Sequence, residues 1–226
     1  MNTETKDDNS HVSVSTAGDV NGDGYDDVIV GASRADRNVE YDYGIAGASR
    51  SDQDSSYWVS SYVVFGKANG FSAAMDLSSL DGSDGFILDK DMHFYASGLA
   101  GASVSNAGDV NGDGFDDVII GISRYGNGGS SYVVFGKASG FNAAMDLSSL
   151  DGKNGFRLEG GEENYYSGIS VSTAGDVNGD GLGDLIVGYP YGERGAGSSY
   201  VIFGKASGFS AIFDVASIDG SNGFRL

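Results

Sequence analysis

The chain has 226 residues and a formal charge of −19, from 13 Lys and Arg against 32 Asp and Glu. Such an acidic surface repels nucleic acid and anionic membranes, which argues against a nucleic-acid role. Hydrophobic residues make up 40% of the sequence, enough for a packed core. No stretch reaches the roughly 20 consecutive apolar residues of a membrane span, so we expect none.

The chain starts with a polar tail, residues 1–10, that lacks the apolar core of a signal peptide. We therefore expect either an export signal outside this sequence or a chain that is a piece of something longer. The absence of cysteine leaves the redox compartment open. Glycine is abundant, at 38 residues, with only one proline and no collagen-like period. This composition is typical of many short strands joined by tight turns.

One block of sequence occurs three times, which decides the architecture. Ser-Ser-Tyr-Val-Val-Phe-Gly-Lys occurs at 60–67 and 130–137, and a near copy occurs at 198–205. Each block is followed by Asp-Gly-x-x-Gly-Phe-x-Leu, at 81–88, 151–158 and 219–226. The period of about 70 residues is too long for leucine-rich repeats or a parallel β-helix. The chain therefore holds three whole units.

Four strands are predicted in each unit. In the first they are an alternating strand at 12–16, an apolar run at 28–31, Tyr-Val-Val-Phe at 62–65 and Gly-Phe-Ile-Leu at 85–88. The apolar run is expected to be buried on both faces. Residues 73–80 could form a helical turn. Four antiparallel strands in each of three repeats predict an all-β fold of β-propeller blades, because a β-sandwich would not explain the recurrence.

The repeats divide the chain into a tail at 1–10 and blades at 11–88, 89–158 and 159–226. Natural propellers have roughly four to eight blades. Three blades are therefore expected to be half of a six-bladed ring of two chains, or part of a longer array. Either arrangement requires the chain to associate with further blades.

Blade 1 carries an insertion, at about 34–60, between its second and third strands. Gly31 lies 31 residues before Tyr62, whereas the equivalent spacings in the other repeats are 11 and 12 residues. Since strands alternate in direction, the insertion should lie at the end of the blade away from the loop that joins the first two strands. It is rich in arginine and aromatic residues, namely Arg34, Arg37, Arg50, Tyr41, Tyr43, Tyr57 and Trp58. Such residues suit a protein or glycan contact. The alternative is a solvated loop that has grown by duplication.

An acidic motif, D-x-N-x-D-G-x-x-D, joins the first and second strands of every repeat, at 19–27, 109–117 and 176–184. It places side-chain oxygens at positions 1, 3, 5 and 9 and a backbone carbonyl at position 7. Ca²⁺ binds six to eight oxygens in a flexible geometry. We therefore predict three Ca²⁺ sites, with these ligands: Asp19, Asn21, Asp23, the Tyr25 carbonyl and Asp27; Asp109, Asn111, Asp113, the Phe115 carbonyl and Asp117; Asp176, Asn178, Asp180, the Leu182 carbonyl and Asp184.

Other readings of the loop fit less well. An EF-hand needs a carboxylate at position 12 and a following helix, but position 12 here is Val30, Ile120 or Val187. Zinc is disfavoured because the loops contain neither Cys nor His. Mg²⁺ ranks second, and a metal-free Asx turn is the remaining alternative. Position 8 varies between Asp26, Asp116 and Gly183, so we expect it to be exposed or to stabilise the turn rather than to bind metal.

The motif at residues 17–32, Ala-Gly-Asp-Val-Asn-Gly-Asp-Gly-x-Asp-Asp-Val-Ile-Val-Gly-Ala, followed by Val-Val-Phe-Gly, resembles the FG-GAP repeat of integrin α-subunit propellers. Similar arrays occur in large secreted or surface proteins of bacteria, including cyanobacteria. The third repeat keeps the Gly-x-Pro ending of the family at 188–190, whereas the first two depart from it. The resemblance implies an extracellular or cell-surface, calcium-bound propeller used in adhesion or protein interaction. It implies no particular ligand.

A catalytic constellation is not evident. The chain has no cysteine and only two histidines, His11 and His93, and it lacks a Gly-x-Ser-x-Gly elbow with suitable partners. We therefore predict a non-enzymatic module that binds a protein or glycan ligand, with structural rather than regulatory calcium. The alternatives are a non-catalytic propeller region of a larger secreted enzyme and a purely architectural repeat.

Overall fold

The computed structural model describes residues 11–34, 58–90, 102–122, 130–160, 170–189 and 197–226. These residues form fourteen β-strands and three short 3₁₀ turns, without any α-helix among them. The tail at 1–10, most of the insertion predicted at 34–60 and His93 lie outside the described residues. Within those ranges, no helix is long and apolar enough to span a bilayer.

Each repeat forms one antiparallel sheet whose strands are neighbours in chain order, as predicted. The first sheet, blade 1, contains β1 (His11–Gly18), β2 (Asp27–Arg34), β3 (Trp58–Val64) and β4 (Gly85–Lys90). Blade 2 contains β5 (Ala102–Gly108), β6 (Asp117–Ile122), β7 (Ser130–Val134) and β9 (Gly155–Glu159). Blade 3 contains β10 (Ser170–Gly175), β11 (Asp184–Tyr189), β12 (Ser198–Ile202) and β14 (Gly223–Arg225).

Two short strands were not predicted from the sequence. β8 (Ala144–Asp146) belongs to the second repeat but pairs in parallel with β4 of blade 1. β13 (Ile212–Asp214) belongs to the third repeat and pairs in parallel with β9 of blade 2. The second and third repeats each therefore add a fifth, parallel strand to the blade before them, which joins consecutive blades by backbone hydrogen bonds.

A 3₁₀ turn lies in each repeat just before the last strand, at Leu77–Ser79, Leu147–Ser149 and Val215–Ser217. The helical turn expected within residues 73–80 is thus confirmed. Each turn is capped by an aspartate side chain that accepts a hydrogen bond from a backbone amide two residues later, for example Asp146 from Ser148.

The hydrophobic core lies between the blades rather than within any one of them. One cluster joins blade 1 side chains, including Ile29 and Phe86, to blade 2 side chains, including Val118 and Ile120. A second cluster joins the other face of blade 2 to blade 3. As a result, every residue of β6, in the middle blade, is buried, as predicted for the second strand. Val28 of the terminal blade 1, in contrast, is exposed. The fold is an all-β, propeller-like stack of three blades that does not close into a ring.

Candidate metal-binding loops

The three acidic loops have the same backbone shape. Each connects the first strand of a blade to the second, directly after an irregularity in strand pairing, which in blade 2 falls between Asn106 and Gly108. In the blade 2 loop, Gly112 and Gly114 have φ angles of 77° and 90°. Residues other than glycine rarely adopt such positive φ angles, so glycine at positions 4 and 6 lets the backbone curl around the acidic side chains.

The position 1 aspartate organises the loop by accepting backbone hydrogen bonds. Asp109 Oδ1 accepts from the amides of Gly112, at 2.7 Å, and Asp113, at 3.0 Å. Its Oδ2 accepts from the Gly114 amide at 2.8 Å. Asp19 and Asp176 accept the equivalent bonds from positions 5 and 6 of their own loops.

Positions 3 and 5 form a reciprocal pair on the solvent side of the loop. Asn111 Oδ1 accepts from the Asp113 amide, and Asn111 Nδ2 donates to Asp113 Oδ2, both at 2.9 Å. Asp113 Oδ1 accepts from the Phe115 amide at 3.0 Å. The pairs Asn21–Asp23 and Asn178–Asp180 repeat this arrangement. The Asp113 amide is thus shared between Asp109 Oδ1 and Asn111 Oδ1, so the side chains at positions 1 and 3 hold the same backbone group.

The position 9 aspartate is buried and ties the loop to the rest of its blade. Asp117 Oδ2 accepts from the Val110 amide at the start of the loop, and Oδ1 accepts from the Gly136 amide beyond β7, both at 2.9 Å. Asp27 and Asp184 accept the equivalent pairs of amides. All three aspartates are almost completely buried. This carboxylate fixes the loop to the second and third strands of the blade.

The pKa of the Asp27 carboxyl is raised to about 6, chiefly by burial, while two backbone hydrogen bonds lower the pKa and the nearby negative charges of Asp23 and Asp19 raise it. The same causes, with burial the largest, raise the pKa of Asp117 well above its usual range. In these loops the acids at positions 1 and 5 thus lie close enough to position 9 to repel it. A bound cation would offset that repulsion.

The predicted ligands of each site are all in one loop, but their carboxylates are turned toward backbone amides. Among the described residues, no three Asp, Glu, His or Cys side chains converge as a ready metal-binding group. The donor set still fits a hard cation, because it consists of oxygen alone and a carboxylate oxygen that accepts one amide retains another lone pair. The same set does not suit zinc.

Position 8 has a role that sequence reasoning missed. Asp116 Oδ2 accepts a hydrogen bond from the Asp19 amide of the neighbouring blade at 2.9 Å, and the Asp116 amide donates to the Asp19 carbonyl. In blade 3, Gly183 makes only the backbone part of this contact, to the Asp109 carbonyl. Asp26, in blade 1, is exposed as expected. Position 8 therefore joins neighbouring blades. The sequence alone does not show this contact, because the partner residue is distant along the chain.

The glycine of the Phe-Gly-Lys block was also missed as part of the loop. Gly136 donates its amide to Asp117, and a Cβ at this residue would lie 2.4 Å from the Asp116 carbonyl and 2.8 Å from that of Val20. Gly66 and Gly204 are equally confined. The recurrence of Phe-Gly at a fixed distance from the acidic motif was the one signal available in the sequence.

The fold and the recurring acidic loops define the class of protein as β-propeller-like, built from three copies of one blade. The family model named FG-GAP repeat matches three segments, residues 12–50, 100–134 and 167–202, each of which contains one acidic loop. The chain is therefore an FG-GAP repeat protein of the integrin α-like type.

Similar regions occur in several integrin α chains. The chain is 36% identical to Integrin alpha-PS2 of Drosophila melanogaster over 109 residues, which are 44% of this chain and 7% of that protein. It is 31% identical to Integrin alpha-6 of Homo sapiens over 107 residues, 45% of this chain and 8% of that protein. For Integrin alpha pat-2 of Caenorhabditis elegans the identity is 36% over 132 residues, 54% of this chain and 10% of that protein. The chain thus matches a tenth or less of these relatives.

Proposed function

We propose that this chain is an extracellular β-propeller module for adhesion or protein and glycan interaction, and that Ca²⁺ stabilises each of its three blades. The observation that carries the proposal is the threefold recurrence of one all-oxygen donor set in equivalent hairpins. The proposed ligands are the four side chains at positions 1, 3, 5 and 9 and the carbonyl at position 7. The similarity to integrin α chains supports an interaction role.

The calcium has a structural role in this proposal. The loop joins two strands of a packed sheet, and its position 9 carboxylate is buried and bonded to two backbone amides. A loop held in this way has little freedom to act as a switch. Its cation would instead hold the hairpin closed and offset repulsion among three carboxylates. A single site at 100-fold saturation adds about 2.7 kcal/mol to the free energy of unfolding.

Thermal unfolding with excess Ca²⁺, with excess Mg²⁺ and with chelator tests this role. We expect the midpoint to rise with Ca²⁺, and to rise less with Mg²⁺, because Mg²⁺ requires a tighter octahedral site. Isothermal titration should give three sites per chain. An unchanged midpoint after chelation contradicts calcium stabilisation.

Recognition is proposed to lie at the end of blade 1 opposite the calcium loop. β2 ends at Arg34 and β3 begins at Trp58, and these residues pair at the end of the sheet away from Asp27. The insertion joins them there, with its central residues outside the described ranges. Deletion of residues 35–54 should abolish binding to cell-surface protein or glycan and leave the calcium-dependent midpoint unchanged. Unchanged binding after the deletion would exclude the insertion as the contact.

The blades are proposed to span residues 11–88, 89–158 and 159–226, without catalytic activity of their own. The open faces of blades 1 and 3 support association with further blades, in a second chain or in a longer array. Limited proteolysis with mass spectrometry tests the boundaries, since cleavage should concentrate between blades and in the insertion. Cleavage concentrated within the sheets would contradict them.

A further inference from the structure

Aromatic rings join the blades in the same way at both internal interfaces. Phe141 of the second repeat stacks on Phe86 of blade 1, with ring centroids 4.1 Å apart and an interplanar angle of 2°. Phe209 of the third repeat stacks on Phe156 of blade 2, at 4.1 Å and 4°. In both cases a further phenylalanine of the receiving blade contacts the incoming ring at about the distance favoured by tilted pairs. One ring from each repeat thus completes a cluster in the blade before it.

The two ends of the stack hold the separate parts of a third such cluster. In blade 3, Phe203 and Phe224 form the receiving pair, with centroids 6.0 Å apart, and among the described residues no third ring joins them. In the first repeat, Phe71 is the equivalent of Phe141 and Phe209, yet its side chain is 58% exposed. An exposed ring at one end therefore matches an incomplete cluster at the other.

Backbone pairing shows the same complementarity. Ile87 of β4 donates to the Ala143 carbonyl next to β8, and Arg157 of β9 donates to the Ala211 carbonyl next to β13, both at 2.9 Å. Residues 74–76 correspond to β8 and β13 but form no strand. At the other end, β14 has β12 as its single neighbour in the described part of the sheet. Among the described residues, the segment 74–76 thus pairs with no strand, and no strand covers the outer edge of β14.

Apolar side chains that are buried between blades are exposed at the ends. Val14 is 67% exposed, whereas its equivalents Val104 and Val171 are buried against the preceding blade. Val177 is 49% exposed, whereas its equivalents Val20 and Val110 are buried against the following blade. The two end faces therefore expose apolar residues that the internal interfaces bury.

The acidic loops also contact one another between neighbouring blades, and among the described residues each of the two end loops lacks that contact on its outer side. A Cβ on Gly22 would meet the Phe115 ring of the next blade, and one on Gly112 would meet the Leu182 side chain. The third equivalent glycine, Gly179, has open space at this position. Tyr25, the equivalent of Phe115 and Leu182, is an exposed aromatic side chain at the opposite end. The end faces thus match at the acidic loops as well as at the outer strands.

We propose that the leading face of blade 1 (Val14, Tyr25, Phe71 and residues 74–76) docks on the trailing face of blade 3 (Val177, Phe203, Phe224 and β14) of a second copy of this chain. Two such contacts close a six-bladed ring. Six is the only multiple of three within the roughly four to eight blades of natural propellers, so two copies are the stoichiometry that closes. The two internal interfaces of this chain are the template for the contact between chains.

The template also specifies individual contacts. Phe71 of one chain stacks on Phe224 of the other, and residues 74–76 extend the sheet beyond β14. By equivalence with the Ile212–Arg157 pairing, Ala74 lies opposite Arg225, whose amide donates to the Ala73 carbonyl. These contacts require no bound calcium and no adhesion ligand, so the proposal is independent of the proposed function.

Light scattering after gel filtration tests the stoichiometry. We expect a mass of twice 23.3 kDa at high protein concentration, which falls toward 23.3 kDa on dilution. Phe71→Glu should give the single-chain mass at all concentrations, with an unchanged far-ultraviolet circular dichroism spectrum, because its ring is exposed within one chain. Ser139→Glu adds the same charge in an exposed turn of the middle blade and should leave the doubled mass intact.

Disulfide trapping tests the register, since the chain has no cysteine of its own. Ala74→Cys combined with Arg225→Cys should form a dimer on a non-reducing gel, whereas either single variant should not. Ile87→Cys with Ala144→Cys, an adjacent pair within one chain, is the positive control and should cross-link without changing the mass. Both experiments are run with calcium and with chelator, so ring formation is read separately from any calcium effect.

A single-chain mass at every concentration overturns the proposal, as does an assembly larger than two chains. A double variant that cross-links no more than its single-cysteine controls would overturn the proposed register.

Discussion

Replacement of Asp117 by alanine separates the structural role of the acidic loop from metal binding. The Asp117 carboxylate is fully buried and accepts hydrogen bonds from the amides of Val110 and Gly136. Alanine removes both acceptors but leaves the two amides in place. Because Val110 and Gly136 are both buried in the middle blade, water has little access to these donors. The variant should therefore be less stable even without calcium.

The size of the effect follows from the two amides. A buried donor left without a partner costs about 2 kcal/mol, so the variant should lose about 4 kcal/mol of unfolding free energy. For a domain of this size, such a loss lowers the midpoint of thermal unfolding by about 8 to 16 °C. The reduced repulsion among the loop carboxylates offsets part of this loss.

Urea unfolding in chelator, monitored by circular dichroism, measures the loss directly. Asp113→Ala is the matched control, since Asp113 is an exposed acid of the same loop. Its unfolding midpoint in chelator should stay close to wild type, whereas one of three calcium sites should disappear in titration calorimetry. If Asp117→Ala lies within about 0.5 kcal/mol of wild type in chelator, the proposed structural role of the buried carboxylate is wrong.

Three further substitutions probe the contacts between blades. Phe141→Ala removes the ring stacked on Phe86 and should lower the free energy of unfolding in urea by about 4 kcal/mol. A loss below about 1 kcal/mol would contradict the ring stack as a main contact of the interface. Gly136→Ala places a Cβ 2.4 Å from the Asp116 carbonyl, and the backbone shift that this contact forces should lower the free energy of unfolding by about 2 kcal/mol. An unchanged midpoint of thermal unfolding would show that the turn accommodates the added methyl group. Asp116→Ala removes the acceptor of the Asp19 amide and should lower the free energy of unfolding by about 1 kcal/mol. The calcium stoichiometry should stay at three, whereas loss of a site would identify Asp116 as a calcium ligand.

The location of the core explains why these contacts matter. Each sheet presents two apolar faces, and a single blade has no means of covering either. The middle blade is covered on both sides, and its second strand is buried throughout. The terminal blades keep one face open, which is why Val14 and Val177 are exposed at opposite ends. Stability in this architecture depends on the number of blade pairs.

Most of the fold could be predicted from the sequence because its signals are local. Alternation predicts β1, the apolar run predicts β6, and Tyr-Val-Val-Phe predicts β3 and β7, since each pattern reflects burial along one strand. The short strands β8 and β13 could not be predicted in this way. Their three residues have no pattern of their own, and they are strands only because the outer edge of the preceding blade supplies hydrogen-bond partners.

The candidate site could likewise be predicted only in part from the sequence. The local sequence predicts which oxygens each loop offers to a cation, because the spacing of Asp109, Asn111 and Asp113 and the intervening glycines is a property of nine consecutive residues. The folded molecule adds that Asp117 also accepts a hydrogen bond from an amide 19 residues away and that Asp116 contacts Asp19 in another blade. These contacts join segments that are distant along the chain, so no pattern among consecutive residues predicts them.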